Sequence, residues 1–415
     1  MSLQSLPSRS LAYCLAAAVV LSVSAVLPAA AQTAARPPVA KLHRYNVDPN
    51  SITVSGVSSG GYMANQVHVA FSKHVIGAGI VAAGPFRCSE TDLLELPLID
   101  AMTHCSAIAG FLGEPNVARA IRKTDKAAEE KRIDPLSNLC RSKVFLFSSE
   151  GDTVVPTAVT KTLETFYRKY LVDQCERPGD ADDPIAFKLD KNSEVPHAFV
   201  TEGEGVACPV MNAEKRKTFV CDGHFDTARA ILEQVYGTLQ DKVPPVAANL
   251  IEFDQSEFID KRPGQQLPHD SLHSRAHIYV PKSCTIEQAS PQAQPCRLHI
   301  AFHGCLQSQD AVGDAFYGHA GYNGWAESNR IIVLYPQVKP TGEPMNSLNI
   351  PNKLLLQSFE NPQGCWDFWA YSSSEYYAGY DDQFDSFNLA GRQLTAIREM
   401  INRIVGDNTI PNKLP

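Results

Sequence analysis

The stretch Ser51-Ile52-Thr53-Val54-Ser55-Gly56-Val57-Ser58-Ser59-Gly60-Gly61-Tyr62-Met63 decides how the chain is read. Ser51–Ser55 carries the β-branched residues of a strand. Gly60–His74 places Met63, Val67 and Ala70 at helical spacing. Between them lies G-x-S-x-G, with Ser58 at its centre. Glycines allow the chain to turn sharply without Cβ clashes. Such a turn lifts the serine hydroxyl out of the sheet and sets it at the positive end of a helix, beside free N–H groups. Ser58 is therefore the candidate nucleophile, and the amide of Ser59 a candidate donor to an oxyanion. The Ser59 side chain is a rival nucleophile, displaced from the centre of the pattern. The bland alternative is a turn rich in glycine and serine.

Working outward, apolar β-branched runs alternate with helical patterns, which predicts an α/β fold with a mostly parallel sheet flanked by helices. Val75–Ala83, Lys143–Phe147, Ile185–Leu189, Ala276–Val280, Arg297–Phe302 and Ile331–Tyr335 read as strands. Thr157–Leu171, Asp226–Tyr236 and Asn388–Ile404 read as helices, with Gly237 as a C-cap. Asp241–Pro245 and Lys261–Ser274 read as turn- or loop-rich, and the sequence assigns no role to residues 88–140 and 241–275. The strands after residue 275 are needed to complete the same sheet, so residues 32–415 are expected to form one domain.

The chain has 415 residues, 44% hydrophobic and 20% charged, enough apolar material for a large core. A net charge of −8 leaves no broad basic field for nucleic acid or an anionic membrane. Arg9, the apolar run Leu11–Leu27 and the small residues Ala29-Ala30-Ala31 have the layout of a cleavable signal peptide over residues 1–31. A membrane anchor is the alternative, but the run is short for a span and a small-residue cleavage site comes after it. Export predicts an oxidising compartment, extracellular or periplasmic. The ten cysteines after Cys14 then read as disulfides, with Cys208/Cys221 and Cys284/Cys296 as short-loop pairs.

A serine nucleophile needs a base, and the base needs an orienting acid. Phe145–Pro156 is an apolar strand running into a loop that holds Asp152, the candidate acid. A turn aspartate or helix N-cap is the competing account. His197, in Val195-Pro196-His197-Ala198-Phe199, comes after Asp152 in the chain order of α/β-hydrolase triads. His224 is its competitor, placed just before a helix.

His303-Gly304-Cys305 ends the strand Arg297–Phe302, like the loop that supplies a second oxyanion N–H. That loop ordinarily precedes the nucleophile in the chain, so its late position predicts a circularly permuted sheet. Metal ligation by His299 and His303 is the alternative, and it lacks an obvious third ligand. A thiol nucleophile at Cys305 is disfavoured by export.

Asp48–Met63, Pro196-His197-Ala198, Cys221–Gly237, His303-Gly304-Cys305 and Asn361–Trp366 together resemble single-domain, circularly permuted poly(3-hydroxybutyrate) depolymerases. The resemblance spans most of the chain in the family's order and departs from it at Pro196, where that family often has glycine. It implies a disulfide-stapled α/β-hydrolase fold with Ser58 as nucleophile, Asp152 as acid and His197 as base. The Ser59 and Cys305 amides become the oxyanion donors, and Trp366 lines a substrate cleft. It further implies a monomeric secreted esterase that acts on polyester or hydroxyalkanoate oligomers, with no metal, cofactor or nucleic-acid partner and no stable membrane anchor. An esterase for plant cell-wall aromatic or acetyl esters, and a binding protein that keeps the fold without catalysis, are the other readings.

Overall fold

The computed structural model describes residues 39–91, 96–106, 113–176, 182–214, 218–259, 270–286, 294–341, 360–382, 390–406 and 408–415. The expected signal segment, residues 1–31, lies outside them, as do residues 261–269 of the expected loop and 388–389 of the expected last helix. Among the described residues no helix is long and apolar enough to cross a membrane.

Eight strands form the main sheet: β1 Val47–Val57, β2 Val75–Val81, β3 Lys143–Ser149, β4 Ile185–Asp190, β8 Leu250–Asp254, β9 Arg275–Tyr279, β10 Cys296–Phe302 and β11 Ile331–Tyr335. Their order is β4-β3-β2-β1-β10-β11-β9-β8. The six strands from β4 to β11 run parallel, and the β11/β9 and β9/β8 pairs are antiparallel. Every strand expected from the sequence is present in this sheet, within a few residues at each end. β8 is an addition; its five residues lie in the stretch 241–275, which carried no clear signal. Three very short strands, β5 Phe199–Thr201, β6 Val206–Ala207 and β7 Val220–Asp222, form a second parallel sheet in the order β5-β7-β6.

Strands buried on both faces need apolar residues on both, with helices to cover them. β11 obeys this directly: Ile332 and Leu334 enter one core, and Ile331, Val333 and Tyr335 the other. Helices α1 Ser59–Ala70, α4 Thr157–Arg168 and α9 Arg392–Val405 cover the first face through residues such as Met63, Leu163 and Ile397. α6 Thr227–Tyr236 and α8 Tyr322–Asn329 cover the second, with Ile231 and Trp325. Asp226, expected as the first residue of α6, is its N-cap and accepts the Arg229 N–H at 2.9 Å. Gly237 closes the helix at φ 83°, a conformation open to glycine.

All ten cysteines after Cys14 pair. The two expected short-loop bridges, Cys208–Cys221 and Cys284–Cys296, are joined by Cys88–Cys105, Cys140–Cys175 and Cys305–Cys365. The last matters most for the site, because it ties the loop after β10 to the aromatic segment Trp366–Trp369.

Candidate active site

Register places the site. Gly56 of β1 pairs with Phe302 of β10 on one side and Ile80 of β2 on the other. Three strands therefore end at one level, and the loops leaving β1 and β10 must meet there. In open α/β sheets such carboxyl ends are where ligands bind. Two glycines make the meeting tight. A Cβ on Gly56 would fall 2.1 Å from the Gly60 carbonyl oxygen, and one on Gly60 would fall 2.2 Å from that of Phe302. The turn leaves Ser58 at φ 58°, a left-handed conformation that costs a non-glycine residue about 1–3 kcal/mol. It is held by the Ser58 N–H donating to Val81 O (2.9 Å) and by the Tyr62 N–H donating to Ser58 O (3.0 Å).

Ser59 opens α1, where an N–H has no intrahelical acceptor. The other expected donor, the Cys305 amide, sits in a loop that leans on the elbow. A Cβ on Gly304 would lie 3.2 Å from both the Ser58 Cβ and the Val57 carbonyl oxygen. Residues 58, 59 and 305 all face one cleft.

The acid and base arrive from the next strands. β3 ends at Ser149, and its hydroxyl donates to the Val195 carbonyl oxygen at 2.8 Å, fastening the histidine loop to the aspartate loop. His197 Nδ1 lies 2.7 Å from Asp152 Oδ2, and both side chains are buried. Asp152 Oδ1 accepts the N–H groups of Val154 (2.8 Å) and Val155 (2.9 Å). A carboxylate so held keeps a proton on Nδ1, leaving Nε2 as the basic nitrogen. His197 also lines the cleft with Ser58. His224 is mostly exposed, 3.6 Å from Asp190, and does not line the cleft. The two histidines considered for a metal spend their ring nitrogens otherwise. His299 lies 2.8 Å from Thr53 Oγ1 and 2.7 Å from Ser55 Oγ, and His303 Nδ1 lies 2.7 Å from Gly304 O.

The cleft measures about 430 Å³. Its walls come from Leu98, Ala101 and Met102 on α2 (Pro97–Thr103) and from Phe368 and Trp369. Tyr62 stacks on Phe368 at 4.2 Å, and its hydroxyl donates to Cys105 O at 2.6 Å, so the helix after the elbow braces both walls. Burial pushes the Tyr62 phenol well above its ordinary value, so it stays neutral. Trp366 stands elsewhere than expected. It is completely buried, edge-on to Phe302 and tilted against His303, and it does not reach the cleft. The reason is local: buried Asp367 accepts the N–H groups of Trp369, Tyr371 and Ser372, turning the chain so that Phe368 and Trp369 face the cleft while Trp366 points inward. Neither Trp369 nor the α2 wall was singled out from the sequence.

A strained strand-to-helix turn at Ser58, lining one cleft with the histidine of a buried aspartate–histidine pair at the ends of parallel strands, fits an α/β-hydrolase fold. No protein-family model matches the sequence. The chain is 34% identical over 372 residues to a poly(3-hydroxybutyrate) depolymerase of Delftia acidovorans and 29% identical over 369 residues to a polyhydroxybutyrate depolymerase of Talaromyces funiculosus, covering 88% of this chain in each case. Along most of its length the chain is similar to poly(3-hydroxybutyrate) depolymerases. The match spans 62% of the Delftia protein and 92% of the Talaromyces protein. Among solved structures, the PHB depolymerase from Penicillium funiculosum superposes with a TM-score of 0.67 at 26% identity, over 88% of this chain and 98% of that one. A PHB depolymerase variant complexed with an R3HB trimer gives the same score and coverage at 25% identity.

Proposed function

We propose that the protein hydrolyses the ester bonds of poly(3-hydroxybutyrate) or its oligomers through an acyl-enzyme on Ser58. The Asp152–His197 contact at 2.7 Å, beside Ser58 in an apolar cleft, carries this reading. His197 takes the Ser58 proton as the hydroxyl oxygen attacks the ester carbonyl carbon. The Ser59 and Cys305 amides receive the charge that forms on the carbonyl oxygen, a contribution of roughly 3–4 kcal/mol per donor. The tetrahedral species collapses, His197 returns its proton to the departing alkoxide, and the hydroxyl end of the polymer leaves. Water, deprotonated by His197, then attacks the acyl-serine carbonyl; the bond to Ser58 Oγ breaks, His197 returns the proton to that oxygen, and the acid product leaves as its carboxylate. Asp152 holds the imidazole in the required tautomer throughout and stabilises its cationic form.

The apolar cleft suits methyl-bearing ester units, and Trp369 is the aromatic that would contact them. The strand order supports a circular permutation, because β8–β11 come after the elbow in the chain yet build the half of the sheet beyond β1. Export through the segment 1–31 is supported by five disulfides. The mature protein acts as a monomer outside the cytoplasm.

The deciding experiment is turnover of R3HB oligomers by purified protein, with Ser58→Ala as control. Release of hydroxybutyrate that vanishes in the variant supports the proposal. Binding without turnover in the unaltered protein rejects it in favour of a polymer-binding role. Release of an aromatic acid from cell-wall esters, with the oligomers left intact, moves the substrate to the other esterase class.

A further inference from the structure

The sequence marked His303-Gly304-Cys305 for a backbone amide, and the imidazole in that motif has no part in the reaction as proposed. It is fully buried, with the rings of Trp366 at 5.8 Å and Phe316 at 6.4 Å. Burial pushes it down to about 4, so it is neutral around pH 7. Its tautomer is set by its partners. Nδ1 lies 2.7 Å from the Gly304 carbonyl oxygen, which can only accept, so Nδ1 carries the hydrogen. Nε2 accepts the Val338 N–H at 3.3 Å.

The Gly304 C=O and the Cys305 N–H are opposite ends of one planar trans peptide group. A grip on the oxygen therefore sets where the N–H points. Gly304 is the residue with the greatest backbone freedom, so this peptide needs an external hold. The peptide groups on either side have holds of their own. The Gly304 N–H donates to Gln307 Oε1 (2.7 Å), whose Nε2 donates to Thr218 O (2.8 Å). The Leu306 N–H donates to Gln363 O at 2.7 Å. On the middle group the short contact is His303 Nδ1; the other is a turn bond from the Gln307 N–H at 3.3 Å.

We infer that His303 is a positioning residue for the oxyanion hole: its Nδ1–H holds the Gly304 carbonyl and thereby aims the Cys305 N–H at the oxygen that becomes charged when Ser58 attacks. The inference rests on the reading of Ser58 as nucleophile and the Cys305 amide as donor. It also gives Trp366 a task one layer below the cleft, as a wall of the imidazole's slot.

Three substitutions separate positioning from simple core packing. Asn places an amide nitrogen where Nδ1 stands, Gln places its polar group nearer to Nε2, and Leu keeps only volume. Kinetics on p-nitrophenyl butyrate and on the R3HB trimer should show His303→Leu and His303→Gln losing roughly tenfold or more in kcat, within the range set by loss of one oxyanion donor. KM should stay within about twofold, because the donor acts on transition-state charge. His303→Asn should recover most of the lost kcat. A boronic acid that forms a tetrahedral adduct should weaken by the same factor as kcat. Unchanged kcat in folded His303→Leu overturns the inference, as does a rise in KM at constant kcat. Should the leucine variant fail to fold, the Asn/Gln pair decides: equal kcat in the two overturns the inference. Persistence of turnover in Ser58→Ala would instead strike the proposed function, so the two failures are distinct.

Discussion

Asp152 divides its carboxylate between His197 and its own loop: Oδ2 meets Nδ1 of the imidazole at 2.7 Å, while Oδ1 takes two backbone N–H groups at 2.8 and 2.9 Å. One oxygen meets the imidazole, and the other fixes the aspartate side chain. From sequence Asp152 is the candidate acid with a turn aspartate as the competing account, and its two oxygens make the contacts of both.

Asp152→Asn tests the division. Its amide oxygen still accepts from Val154 and Val155, but its NH₂ faces Nδ1 and favours the wrong imidazole tautomer. The expected result is a fall of about 10⁴ in kcat with little change in melting temperature. Asp152→Ala should lose comparable activity and also stability, about 1–3 kcal/mol for each backbone N–H left without a partner. Urea titration beside steady-state kinetics checks both; near-wild-type kcat in Asp152→Asn contradicts the acid assignment.

Gly60→Ala probes the contact between elbow and oxyanion loop. The added methyl carbon would start 2.2 Å from Phe302 O and 2.4 Å from His303 O, both backbone atoms with little freedom. β10 must then move away from α1, at a cost of about 3 kcal/mol. Activity per folded molecule should fall too, since the Cys305 amide moves with the loop. Thermal melts and active-site titration with a fluorophosphonate measure the two effects separately.

Sequence is legible where its physical signals are local. The sharp turn at Ser58 is readable because a strand, two glycines and a helix stand side by side in the chain. The strands were readable because burial on both faces demands unbroken apolar runs. The α2 wall was not, because seven residues are too few to display a period and Leu98, Ala101 and Met102 face a cleft. β5, β6 and β7 are two or three residues long and carry no alternation. Trp366 and Trp369 could not be told apart by spacing in irregular chain; Asp367, accepting three backbone N–H groups, sorts them, and that is a tertiary fact. The bridges Cys208–Cys221 and Cys284–Cys296 close loops of 13 and 12 residues and were readable, whereas Cys305–Cys365 spans 60 and was not.

Buried histidines set a pH dependence of stability. His68 lies between Tyr167 OH and Ser142 Oγ, and His299 between Thr53 and Ser55. Burial lowers both to about 3, against 6.5 for the exposed imidazole. Between these values the unfolded chain takes up protons that the folded chain refuses. The stabilising contribution is therefore whole above pH 6.5 and is lost progressively as pH falls toward 3. From pH 7 to pH 5 each group should remove about 2 kcal/mol. Asp134, pushed up to about 6 by burial, has the opposite sign; its contribution is lost as pH rises through 6, which softens the decline. Urea midpoints at pH 7 and pH 5 test this, and His299→Gln should flatten the slope by one histidine's share.

Trp369→Ala should separate binding from chemistry. The ring lines the cleft, packs edge-on to Phe368 at 5.0 Å and leaves Ser58 untouched. Losing an aromatic contact of this size costs about 1.5–3 kcal/mol, or roughly tenfold to a hundredfold in kcat/KM for R3HB oligomers. A small acetate ester that does not reach the ring should lose far less. Trp366→Phe makes the comparison: its ring contacts no substrate, so its kinetic effect should be equal for long and short esters. A larger oligomer-specific loss at Trp366 than at Trp369 would reverse the assignment.

The Cys305–Cys365 bridge should matter for catalysis in a way the other bridges do not. It joins the loop that offers the Cys305 amide to the segment that turns Trp369 into the cleft, and Asn361 braces the far side by accepting the Cys365 N–H at 2.8 Å. By chain entropy alone, removing it costs about 4 kcal/mol, and removing Cys284–Cys296 about 3 kcal/mol. The two losses of stability are thus similar, while the positions differ: Cys284–Cys296 sits at the start of β10, the opposite end from the site. Paired serine substitutions should therefore lower the melting temperature comparably. Only Cys305→Ser/Cys365→Ser should also lower kcat for the folded fraction, since the oxyanion amide loses part of its support. Equal kcat in the two double variants, measured well below either melting temperature, would show that hydrogen bonds alone hold the loop.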